Sequence, residues 1–103
     1  MVKILGKPDV TVEAVASALA EFQKVHPNAD CVLYRYNPAA IRIKIVDVVF
    51  RGRSKGERHD YAMTFLHKLP EDVLAEVSIL LCLEPGERAY LDPEFVEPVP
   101  SHH

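Results

Sequence analysis

The sequence predicts an α+β domain: a three-stranded mixed sheet with helices packed on one face, in the order α-β-β-α-α-β. Three observations carry that prediction. Ile41-Arg42-Ile43-Lys44-Ile45 alternates apolar with basic side chains, the period of a strand with one wet face. Ser54 and Glu57 stand at the S-x-x-E spacing of a capping box, ahead of Ala62, Phe65, Leu66 and Leu69 at helical intervals. Val77 to Leu83, VSILLCL, is a continuous apolar run closed by Glu84-Pro85-Gly86, which reads as a buried strand carrying much of the core.

The other elements follow in chain order. VKIL near the start would make at most a short edge strand and is not counted in the sheet. Thr11 can cap a helix over about Val12–Val25, with Glu13 in its first turn and Val15, Ala18, Leu19 and Phe22 on one buried face. Pro27-Asn28 ends it. Cys31–Tyr36 consists of β-formers, and NPAA then turns the chain into the alternating strand to make a hairpin. With Val32, Tyr34 and Tyr36 inward beside the isoleucines, Arg35 joins Arg42 and Lys44 on the outer face. The alternation breaks at Val46-Asp47-Val48, the place for a bulge or strand end. Pro70 halts the second helix, and PEDVLAEV supplies a short third one. Residues 1–88 form the domain; 89–103 read as an acidic, proline-rich tail, with Tyr90, Leu91 and Phe95 packing back and no role assigned to His102 or His103.

Composition narrows the function classes. The chain has 103 residues, enough for one domain with a modest core. No apolar run approaches the roughly 20 residues that cross a bilayer, and MVKILGKPDV lacks the apolar centre of a secretory signal, so the expected location is cytoplasmic, with no membrane partner. Cys31 and Cys82 sit in apolar runs without CxxC or zinc spacing and read as free buried thiols. No Ser-His-Asp pattern, phosphate-binding glycine loop or carboxylate pair stands out, so the expectation is a protein that is not an enzyme.

The charged centre carries the candidate sites. From Arg35 to Arg58 there are seven basic and two acidic residues, while the rest of the chain is acidic. Arg35, Arg42, Lys44, Arg51, Arg53 and Lys55 would form a phosphate-binding footprint for nucleic acid, with the capped helix entrance offering backbone N–H groups. The same charges also suit a solvated edge hairpin guarded against sheet-to-sheet association. GRSKG spaces its glycines G-x-x-x-G between strand and helix, whereas the KH clamp is G-x-x-G between helices. His59 falls on the helical side of Ala62 and Leu66, leaving two readings: a half-buried imidazole bonded to a carbonyl, or an accessible ligand. His67 suits a helix C-terminus, and His26, ahead of Pro27, has no companion in the sequence.

Phe50, Gly52, Ser54, Arg58 and His59, within VVFRGRSKGERHDYAMTFLHKLP and followed later by VSILLCLEPGE, resemble the BolA family. Its members have a strand ending F-x-G-x-S and then a helix opening on Arg-His. The resemblance spans about Val12 to Glu87. It implies a class II KH-like fold and a non-enzymatic adaptor or regulatory protein that partners a monothiol glutaredoxin in iron–sulfur cluster handling. There would be no intrinsic cofactor, only a shared cluster. The family's helix histidine, an iron ligand, maps onto His59, and partner contact maps onto Phe50, Gly52, Ser54, Arg58 and His59. The chain departs from the pattern in three places: YNPAA holds no histidine or cysteine, Asp60 follows the Arg-His pair where the family has arginine, and EVSILL has no histidine. Two alternatives stand beside this expectation: a KH-like nucleic-acid-binding module, and a small protein-interaction module acting as monomer or homodimer.

Overall fold

Gly6, at φ +73°, turns the chain from a first strand toward Asp9, and the strand before it changes the expected sheet. In the computed structural model, which describes residues 1–88, Val2–Leu5 is β1 and pairs in parallel with β2, Asp30–Asn37. The sheet therefore has four strands rather than three, in the order β1-β2-β3-β4, where β3 is Ala40–Val46 and β4 is Val77–Leu83. Four residues suffice because Val2 and Ile4 pack against the core while the backbone joins a ladder already fixed by the hairpin. The α+β class stands, with β2 and β3 antiparallel at the centre and a parallel strand added on each side.

The first helix, α1 (Val10–Val25), begins ahead of the expected position because Asp9, not Thr11, is its cap: Asp9 Oδ1 accepts from the Val12 N–H at 2.8 Å. Its buried stripe is Val12, Val15, Ala18, Leu19 and Phe22. These meet Cys31, Leu33, Ile41, Ile43 and Ile45 from the sheet, and Ala62 and Leu66 from α2 (Lys55–Leu66), in one core on one face. Each fully buried aliphatic chain there contributes roughly 1.5–3 kcal/mol. The short third helix, α3, is Glu71–Leu74.

The hairpin register reverses the expected facing of β2. Cys31 opposes Ile45 and Leu33 opposes Ile43, so these two, fully buried, face the helices, while Val32 opposes Lys44 and Tyr34 opposes Arg42 on the other face. Arg35, opposite Ile41, goes with the buried set and is separated from Arg42 and Lys44. Asn37 makes the turn, its side-chain oxygen accepting from the Ala39 N–H at 2.8 Å.

After Val46 the strand ends, as the broken alternation required. Asp47 caps a one-turn 3-10 helix, Val48–Phe50, that lowers Phe50 onto Phe22 with ring centroids 6.1 Å apart. β4 spans the predicted VSILLCL, but it is a sheet edge rather than a buried centre: Val77, Leu80 and Cys82 are only partly buried. Among the described residues the edges are thus β1 and β4, not the hairpin. Among the described residues no helix is long and apolar enough to cross a membrane. The expectations for the tail, Tyr90, Leu91, Phe95, His102 and His103 fall outside the described residues.

Candidate functional site

The loop from Arg51 to Ser54 joins the 3-10 turn to α2 and fixes the site. Gly52 has φ +77°, a left-handed backbone that glycine adopts without strain. Two residues on, Ser54 Oγ accepts from the Glu57 N–H at 3.2 Å, and Glu57 Oε1 accepts from the Ser54 N–H at 2.7 Å, completing the capping box. The Ser54 N–H donating to the carboxylate, with the Ser54 hydroxyl beside it, holds the Glu57 carboxyl below its ordinary range.

With α2 so started, Arg58 and His59 part company. Arg58, Ala62 and Leu66, four residues apart, form the inner stripe, and Arg58 is 8% exposed. Its guanidinium donates to the Arg53 carbonyl at 3.0 Å, the Cys82 carbonyl at 3.1 Å and Glu87 Oε1 at 2.7 Å. Glu84 lies 3.7 Å away. An arginine takes an interior place because three of its five N–H donors find acceptors and the Glu84 carboxylate faces the remaining nitrogen. His59, one position on, is rotated outward; its side chain is 54% exposed and Asp60 stands 4.0 Å from it. The accessible reading therefore holds for His59, and burial belongs to Arg58.

His59 stands at the rim of a cleft of about 290 Å³ between the start of α2 and β4, with Lys55 and Arg88 also on the rim and Leu80 and Leu83 in its wall. Cys82 lines it too, but burial pushes its thiol up to about 12, and that of Cys31 up to about 11, so neither is a ready thiolate ligand. Both cysteines are free, as expected. Among the described residues no group of three histidine, cysteine or acidic side chains is arranged to hold a metal.

The five residues aligned with the partner-contact motif occupy two layers. Gly52, Ser54 and His59 are exposed, whereas Phe50 is fully buried and Arg58 nearly so. The Phe50 side chain lies beneath the loop against Phe22 and anchors it from below. The six candidate nucleic-acid cations do not form one footprint. Arg35 is tied on the helix side, to Asp9 at 3.0 Å and Glu76 at 2.6 Å. Arg42 and Lys44 lie on the opposite sheet face, where the Arg42 guanidinium sits 3.5 Å from the Tyr36 ring centroid. Arg51 pairs with Glu84 at 3.2 Å, and Arg53 stacks 4.9 Å over Tyr61; only these two and Lys55 share the loop and helix entrance.

Sequence reasoning missed two groups. Glu87, to which the sequence reading gives no role, locks Arg58. His26, without a companion nearby in the sequence, sits with Nδ1 3.5 Å from Asp47 and Nε2 2.7 Å from the Tyr61 hydroxyl. This carboxylate-imidazole-phenol line resembles a catalytic array, yet Asp47 also caps the 3-10 turn and Tyr61 packs on Phe22 and Phe65, so it acts as a strut between α1 and α2. Neither group had a local signal, since the partners lie far apart in the chain. His67 is the exposed C-cap of α2, as its position suggested. Compared with known proteins, the chain matches no family model, no curated protein and no solved structure.

Proposed function

We propose that this chain is a non-enzymatic, BolA-like adaptor that docks a protein partner on the ledge from Arg51 to His59, with His59 as the metal-capable side chain of that ledge. The observation that carries the reading is the contrast within the Arg-His pair. Arg58 is bonded into the structure and fixes the helix entrance, while His59 projects at a cleft rim with its imidazole accessible. A neutral imidazole is a suitable iron ligand, and in place of a thiolate it makes a cluster site less negative. His59 supplies one ligand, so the remainder would come from the partner, which fits a cluster shared with a monothiol glutaredoxin rather than one resident in this chain.

The nucleic-acid reading draws less support, because its six cations fall in separate environments and Arg35 is already bonded to two carboxylates. Mixing the full chain with cluster-loaded monothiol glutaredoxin discriminates between the two. The adaptor reading expects a new visible absorption band that His59→Ala removes; an unchanged spectrum, together with salt-sensitive binding to single-stranded nucleic acid, would replace it.

A further inference from the structure

The geometry points to the β4 edge as a peptide-docking groove: an extended segment of a partner protein, carrying an acidic side chain, adds as a further strand along Leu80–Cys82, with its carboxylate at Lys55, His59 and Arg88. The inference rests on the reading of the α2 entrance as a docking site and specifies the partner's chemistry.

Three observations converge on it. First, β4 ends the sheet order, and no strand among the described residues pairs with its outer side. The Asp47 N–H donates to the Leu83 carbonyl, so Leu83 turns toward β3. Carbonyls alternate along a strand, so the groups of Cys82 and Leu80 turn outward. Arg58 takes the Cys82 carbonyl, which blocks the ladder at that end and leaves the Cys82 N–H and the Leu80 groups to define where a strand can pair.

Second, VSILLCL contains no charged residue and no proline. Natural edge strands carry such guards, or are covered, because an apolar edge recruits further strands. Here one arginine guards one end, which is the pattern of an edge kept open for a chosen strand.

Third, α2 runs beside this edge, and the cleft between them holds about 290 Å³, with leucines in the wall, Lys55, Arg88 and the imidazole of His59 at the rim, and Glu87 among its lining residues. A groove between an edge strand and a helix is a recurrent way to bind an extended peptide: the backbone ladder gives affinity and the flanking side chains give specificity. Glu84 and Glu87 are held by Arg51 and Arg58, so the unengaged character of the rim is positive and calls for an acid. A second β4 offers no acid within its own strand, so self-pairing fits less well.

The test is selection of a displayed random heptapeptide library on the full chain, followed by amide NMR with the selected peptides made synthetically. The inference expects enrichment of alternating β-formers with one acidic residue and saturable shifts at Leu80 and Cys82. N-methylation of the peptide position facing Leu80 should abolish binding, and Lys55→Gln should weaken it about tenfold, the loss of one charge-assisted contact. No enrichment, insensitivity to N-methylation, or shifts confined to other surfaces would overturn it. A concentration-dependent dimer that broadens the same amides in the absence of peptide would also overturn it, assigning the edge to a second copy. Failure here with the glutaredoxin signal intact leaves the adaptor reading standing. Peptide binding without that signal overturns the cluster-adaptor reading and leaves the peptide groove standing.

Discussion

The Arg58 guanidinium lies 2.7 Å from the Glu87 carboxylate and clamps the start of α2 to the turn that follows β4. Glu87 also accepts from the Glu84 N–H at 3.0 Å. Removing the arginine leaves two backbone carbonyls and a carboxylate without their donor. We expect Arg58→Ala to lower unfolding free energy by about 2–3 kcal/mol, measured by urea denaturation, since unsatisfied buried partners cost more than the bond itself is worth.

The same clamp fades in acid. The Glu84 N–H, followed by Arg58, holds the Glu87 carboxyl below its ordinary 4.5, so the unfolded chain takes up the proton first. Its stabilisation is complete above 4.5 and is lost as pH falls from there through the depressed folded value. Glu87→Gln should therefore melt below the native chain at neutral pH, with the gap closing on acidification. A gap that stays constant with pH would contradict this assignment.

At His59 the opposite is expected. The side chain is mostly in water, with the Asp60 carboxylate 4.0 Å away. His59→Ala should change stability by no more than about 0.5 kcal/mol, as for most surface substitutions, while removing partner or metal binding. A large stability loss in thermal melts would show that the imidazole is structural.

The strut between the helices should behave as one unit. Tyr61→Phe deletes the hydroxyl that meets His26 Nε2 at 2.7 Å and should cost about 1 kcal/mol, the worth of one partly buried hydrogen bond. In a double-mutant cycle with His26→Gln, the two losses should be less than additive.

Much of this was legible where the signal was local. The capping box at Ser54 and Glu57, the Ile41–Ile45 alternation and the extent of VSILLCL each depend on residues within a few positions of one another, and each formed as read. β1 was not legible, because four residues become a strand only when β2 is there to pair with them. The facing of β2 was ambiguous because Cys31, Val32, Leu33 and Tyr34 are apolar at both parities; the Leu33–Ile43 pairing settles it and carries Arg35 to the helix side. Asp9 and Thr11 are both good caps, and the salt bridge from Arg35 to Asp9 goes with the outcome. At the site, helical spacing left His59 open between a half-buried and an accessible place, and only the distant acceptors at Cys82 and Glu87, which draw Arg58 inward, decide it.

The thiols give a further check on packing. With both pushed well above the ordinary range by burial, Cys31 and Cys82 in the native chain should react with a thiol reagent at least about tenfold more slowly than in denaturant. Fast labelling of Cys82 would mean that the cleft beside β4 opens more widely than its geometry indicates.

The central claim, an accessible imidazole on a partner-docking ledge, is tested most directly by visible circular dichroism of an equimolar mixture of the full chain and cluster-loaded monothiol glutaredoxin. The account predicts a new dichroic spectrum that His59→Ala abolishes while its melting curve stays native. A spectrum equal to the sum of the separate proteins, or one that persists in His59→Ala, would contradict it.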